Sequence, residues 1–208
     1  MIVDRVLKYS THSGKLEGFH SLNVWKNCSK KWRDDDSTVC SKCYWYRLYR
    51  YYDNLNNVLK HNRDLMKKHL EPEQIPWIND KYFRFSSFGD ISTVKQVQEF
   101  VFVAQRNPDA QIGWWTKEPK LLMRGIKKAG YFPGNICMNI SSLLLNVPQK
   151  WNLEWPSDTK VFTVYTKDKM PKQSKINKKV EHICKSQCRD CLVCYTKNKI
   201  KYVHEELK

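Results

Sequence analysis

The 208-residue chain carries 37 lysines and arginines against 21 acids, a net charge of +16, and is 41% hydrophobic. That is enough apolar material for a packed core, yet the best apolar run, near Cys137 to Val147, is too short and too polar to cross a bilayer. The opening Met1-Ile2-Val3-Asp4-Arg5 lacks the apolar stretch of a secretory signal, so a soluble, cytoplasmic protein is expected.

In chain order, one domain with three segments is expected: a cysteine-bearing, helical 1–76, an α/β core over 77–166 and a basic, cysteine-rich tail over 167–208. Tyr44 to Leu70 contains no Gly or Pro, and its apolar Leu48, Tyr51, Tyr52, Leu55, Val58 and Leu59 predict a helix ended by Glu71-Pro72. Tyr82 to Phe88 reads as a buried strand that leaves through Gly89-Asp90. Ser92 is the expected N-cap of a helix reaching about Gln105, with Val94, Val97, Phe100, Val101 and Ala104 on one face. Gln111 to Thr116 is a second strand, Pro119 to Lys128 a helix stopped by Gly130, Asn135 to Ile140 a third strand and Lys160 to Tyr165 a fourth. Such alternation implies parallel pairing through crossovers, and a partial (β/α) barrel-like sheet is expected. Pro171-Lys172-Gln173-Ser174 reads as a linker into the tail.

The cysteines carry the most specific signal. Cys28, Cys40 and Cys43 lie near the start, and Cys184, Cys188, Cys191 and Cys194 crowd the end. In a reducing compartment, clustered cysteines are more often metal ligands than disulfides. The tail spacing C-x3-C-x2-C-x2-C lets thiolates converge on one inorganic core if the backbone wraps it, as in [4Fe–4S] sites. The fourth ferredoxin cysteine and its proline are absent. The spacing of Cys184, Cys188 and Cys191 also matches the radical S-adenosylmethionine loop, but comes last in the chain and has Asp190 where an aromatic is usual. Zinc is the alternative, with Cys40-x2-Cys43 and Cys191-x2-Cys194 as paired knuckles. The expected arrangement folds both ends of the chain together over a metal centre. Cys137, in an apolar run, reads as a small buried hydrophobe, and His182 as a solvated neighbour of the cluster.

In parallel α/β sheets ligands bind beyond the carboxyl ends of the strands. That rule selects Asp90 and Lys117 as catalytic candidates and Asn139 and Ser141 as cofactor-facing ones; no G-x-S-x-G, H-E-x-x-H or P-loop occurs. The charge excess predicts contact with a polyanion, nucleic acid first, although lysine predominates over arginine, as in a surface that only keeps a protein soluble.

Cys40-x2-Cys43-Tyr44, Phe83-Arg84-Phe85-Ser86-Ser87-Phe88-Gly89-Asp90-Ile91, Trp114-Trp115-Thr116-Lys117 and Cys188-x2-Cys191-x2-Cys194-Tyr195 together resemble the bacteriophage "gene product 88" family. One departure is Phe88, where that pattern has a serine beside Gly-Asp. The resemblance implies a compact iron–sulfur α/β protein of phage origin, acting in host cytoplasm, with no reaction attached. Two functions are therefore expected to compete. One is an iron–sulfur enzyme acting on a phosphate-bearing or nucleic-acid-linked substrate. The other is a non-catalytic nucleic-acid-binding or host-interaction protein with a structural cluster or zinc.

Overall fold

The computed structural model describes residues 5–25, 29–43, 45–46, 51–150, 158–185 and 187–207. Eight strands form one sheet: β1 (Tyr9–Thr11), β2 (His20–Val24), β3 (Tyr82–Gly89), β4 (Gln111–Thr116), β5 (Ile136–Ser141), β6 (Lys160–Tyr165), β7 (Glu181–Cys184) and β8 (Tyr202–Glu206). Their order is β1-β2-β3-β4-β5-β6-β8-β7. β1 runs antiparallel to β2, and every other pair is parallel. Five helices accompany it among the described residues: α1 (Lys30–Arg33), α2 (Asp53–Leu65), α3 (Val94–Arg106), α4 (Pro119–Ala129) and α5 (Cys188–Cys191).

Register explains the two faces of the sheet, because residues paired across parallel strands project to the same side. Leu22, Phe85, Trp114 and Met138 form one such row, buried to 2% exposure or less. The rings of Phe85, Phe100 and Trp114 meet there at centroid distances of 4.7 to 5.5 Å, with α3 and α4 above. The two helices touch closely at Gly125, where a Cβ would stand 2.3 Å from Val97. The opposite row, Ser21, Arg84, Gly113 and Cys137, has small and polar side chains, followed by Trp115, Asn139 and Lys160. We call this the inner face. Here the sheet is covered by the tail.

The core strands and helices stand where the periodicity predicts them. The N-cap of α3 is Thr93, not Ser92: Thr93 Oγ1 accepts from Gln96 N at 3.1 Å, while Ser92 bonds the Gln96 side chain. The first predicted helix is corrected more substantially. α2 starts at Asp53, and Tyr51 and Tyr52, assigned to its apolar face, are 80% and 54% exposed. Polar Asn62 instead anchors α2, donating to Lys8 O and Asn23 O and accepting from Lys8 N. The expected linker over 171–174 leads into two further strands, β7 and β8, so the tail is part of the sheet. The sheet is not closed; Lys15, in the connection before β2, pairs with Glu205 on β8.

Candidate functional site

The four tail cysteines arrive at the inner face by one crossover. Cys184 ends β7, α5 carries Cys188 and Cys191, and Leu192 turns the chain through a left-handed conformation (φ 52°). Cys194 and Tyr195 then lie beneath the sheet. Asn139 Nδ2 donates to Cys194 O at 3.0 Å and Cys137 O at 3.2 Å. Tyr195 packs against Phe19 and Trp115, with ring centroids 4.8 and 5.4 Å away. Gly113 makes room for this: a Cβ there would come within 2.9 Å of both the Trp115 and Tyr195 rings. Beyond the turn the chain enters β8, which slots between β6 and β7.

Three cations act on the thiols of Cys184, Cys188 and Cys194. Lys160, fully buried, donates to Thr196 O at 3.1 Å and Asp158 O at 3.3 Å. The Arg84 guanidinium lies 3.8 Å from the centre of the Trp115 ring. Burial opposes the charged form of Lys15, but Glu205 and Cys184 outweigh it and raise its pKa. Burial likewise pushes the thiols of Cys184, Cys188 and Cys194 upward. For Cys194 the neighbouring Cys184 and Cys188 add to the rise, and Lys160 and Arg84 oppose it. Arg84 and Lys15 act the same way on Cys188. Cations close to buried sulfur are what a thiolate needs, since an uncompensated buried charge is costly.

His182 is half-buried rather than solvated, with Nε2 3.2 Å from Cys191 Sγ. Its pKa is lowered by burial, then by His204 and Lys15. Cys137 is 1% exposed in β5, the small buried hydrophobe its sequence predicts. Cys28 lies outside the described residues. Cys40 and Cys43 belong to a segment fastened just past β5: Val39 N donates to Leu143 O at 2.9 Å and Leu145 N to Ser37 O at 2.8 Å. Among the described residues, no three or more His, Cys, Asp or Glu side chains are arranged as a ready metal site. The donor types on this segment are those that thiophilic metals take, four sulfurs and one imidazole, and nearby Asn139 Oδ1 and Trp115 Nε1 are both buried without hydrogen-bond partners.

The strand-end candidates divide. Asp90 is 7% exposed, and its carboxylate accepts from Ile91 N (2.8 Å), Thr116 Oγ1 (2.6 Å) and Lys117 N (2.8 Å). It thereby ties the end of β3 to the end of β4. Lys117 takes part in that tie through its backbone and is half-buried. Asn139 belongs to the thiol region, as described. Ser141 is half-buried at the end of β5, and its neighbour Ser142 shares a 2.9 Å hydrogen bond with Thr163.

Sequence reasoning overlooked Lys15, Arg84 and Lys160 as site residues. Arg84 was visible as a lone charge alternating with Phe83 and Phe85, a pattern that puts it on the face opposite the core. Lys15 had no such signal, because only the folded sheet brings residues 15 and 205 together. Comparison of the chain with family profiles, curated proteins and solved structures finds no match.

Proposed function

We propose that the tail segment holds a thiolate-ligated metal centre, an iron–sulfur cluster, probed first as [4Fe–4S], with zinc as the competing occupant. The observation that carries this reading is the packing of Cys184, Cys188 and Cys194 with Phe19, Trp115 and Tyr195, where Lys15, Arg84 and Lys160 act on their sulfurs, with Cys191 beside His182 on the same segment. Those four cysteines would be the ligands, with His182 as the nitrogen donor beside Cys191. Cys28, Cys40 and Cys43 are the second thiol set, to be tested for the same centre. In that reading the curved, open sheet is a partial barrel whose two cysteine-rich ends close over the metal. The resemblance to the phage family points the same way.

When bound, a cluster would supply an electron or an open iron coordination position. The chain's own part is to bury the site, to neutralise the thiolates with three cations and to shield it with Phe19, Trp115 and Tyr195. Asp90 and Lys117 would support a substrate only indirectly, by holding the ends of β3 and β4 in place. An exchangeable iron position would favour catalysis at the cluster; a cluster with four cysteine ligands would serve electron transfer or act as a structural staple. Anaerobic purification with iron, acid-labile sulfide and zinc analysis tests the reading. Iron and sulfide in near-equal amounts, lost in Cys191→Ser and kept in Cys137→Ser, are expected. Stoichiometric zinc without sulfide would replace the cluster by a zinc site, and absence of both metals would end the proposal.

A second reading, nucleic-acid binding, is favoured by one observation. Lys167, Lys169, Lys172, Lys175, Lys178 and Lys179 are all exposed along a single stretch. Point-charge lysines on phosphates give binding that falls steeply with salt and depends little on base sequence. A gel-shift titration at two salt concentrations, with these six lysines replaced by glutamine, checks it. Failure to bind even at low salt removes the partner.

A further inference from the structure

The inner face carries a second polar cluster, toward β1, which shares only Arg84 with the thiol region. Ser10 and Ser21 are directly paired across β1 and β2, and Ser21 is in register with Arg84 on β3. Ser21 is fully buried; His12 Nε2 lies 2.6 Å from its Oγ, and Asn23 Nδ2 donates to the same oxygen at 2.7 Å. With the amide donating, the Ser21 proton is left for a neutral His12. Burial first, then Arg84 and His20, keep that imidazole neutral by lowering its pKa to about 4.

Above this pair β3 is distorted. Pairing passes from Leu22 with Phe85 to Val24 with Gly89, so Ser86, Ser87 and Phe88 oppose the single residue Asn23. Ser86 adopts φ 60°, a left-handed conformation unusual for a residue with a Cβ. The bulge is held by Phe88 N donating to Asn23 Oδ1 at 3.0 Å and by the Phe88 ring, 5.4 Å from His12. It leaves the hydroxyls of Ser86 and Ser87 buried without a partner, as is that of Ser10; Ser86 is only 6% exposed. Buried polar groups are nearly always hydrogen-bonded, and backbone strain concentrates where ligands bind.

We propose that this corner is a phosphate-binding subsite in which the hydroxyls of Ser10, Ser86 and Ser87 donate to phosphate oxygens and Arg84 supplies the positive charge. The guanidinium is already oriented by its stack on Trp115. Nearby His20 is engaged with Asp80 at 2.5 Å, so Arg84 is the positive charge of the corner. Hydroxyls from β1 and from the β3 bulge suit a tetrahedral oxyanion better than a planar carboxylate. Because Arg84 also faces Cys188 and Cys194, a phosphate here would sit beside the thiol centre. The subsite thus names a substrate class for the metal reading above, and rests on that reading only for what happens next to the phosphate.

The test uses the full chain. Inorganic phosphate is titrated while the His12 imidazole signals are followed by NMR and the heat by calorimetry. Sulfate and acetate run in parallel. A saturable shift of His12 with phosphate and sulfate, and a markedly weaker one with acetate, is expected. Ser86→Gly removes the hydroxyl while suiting the left-handed backbone, so it should fold and bind phosphate about tenfold more weakly; Ser10→Ala should do likewise, and Arg84→Gln should weaken binding at least as much. No saturable shift in wild type, equal binding of acetate, or wild-type affinity in a folded Ser86→Gly protein would each overturn the proposal. Iron, sulfide and zinc are measured on the same samples. Phosphate binding by metal-free protein would therefore keep the subsite while removing the metal reading, and the converse result would do the opposite.

Discussion

The two faces of the central sheet are built from the same strands yet solve different problems. The face under α3 and α4 is apolar and interlocked: Phe85, Phe100, Trp114, Leu122 and Val97 pack without a charge among them. The inner face, under the tail, presents Ser21, Arg84, Trp115, Asn139 and Lys160, with several polar atoms unpaired. A sheet made only for stability would not bury hydroxyls, an amide oxygen and an ammonium group where Val or Leu would fit. The contrast teaches that the larger apolar core lies on the helix side, while the tail side joins a smaller apolar cluster to buried polar groups that cost stability.

Substitutions can break that division of labour. Phe85→Ala should have the largest effect, about 3–5 kcal/mol of stability, because it opens a cavity among rings that cannot collapse onto it. Urea unfolding checks this, and a loss below about 1 kcal/mol would mean that the helix-covered face is not the main source of stability. Gly113→Ala should cost less, about 1–3 kcal/mol, and act on the other face. The added methyl meets the rings of Trp115 and Tyr195, so the tail should lift. Hydrogen exchange should then rise over 188–196 while α3 and α4 stay protected; uniform loss of protection would show that the two faces are one cooperative unit.

The smallest effect is a pH dependence from the inner face. The folded pKa of His12, about 4, lies below its ordinary 6.5, so the unfolded chain takes up the proton first. The stability linked to neutral His12 is therefore fully present above about pH 6.5 and is lost as pH falls toward 4. Arg84 and His20 are the charges that act on it. Chemical unfolding at a series of pH values should show a shallower acid slope in His12→Gln than in wild type. Equal slopes would mean that His12 titrates normally and that its hydrogen bond to Ser21 is weak.

Periodicity alone was sufficient for β3 to β6 and for α3 and α4, because each buries a continuous apolar stripe whose spacing is written locally. It failed where polar side chains decide. α2 is fixed by Asn62 reaching two backbone groups of Lys8, just before β1, and one of Asn23 on β2, which no hydrophobic pattern announces, so Tyr51 and Tyr52 were assigned to a face they do not share. β7 and β8 are short, carry His182, His204 and three glutamates, and take their places by pairing, β8 on β6 and β7 on β8.

The candidate site follows the same rule. The sequence by itself determined that four cysteines share one short tail segment and that strand ends bear polar residues, since both are matters of spacing along the chain. Only the tertiary structure decided which charges stand beside the thiols, that Asp90 spends its carboxylate on the joint between β3 and β4, and that Ser10, Ser21 and Arg84 fall in one row across three strands. Those are juxtapositions across as many as 190 residues of chain, fixed by strand order and register, and a local pattern holds no record of them.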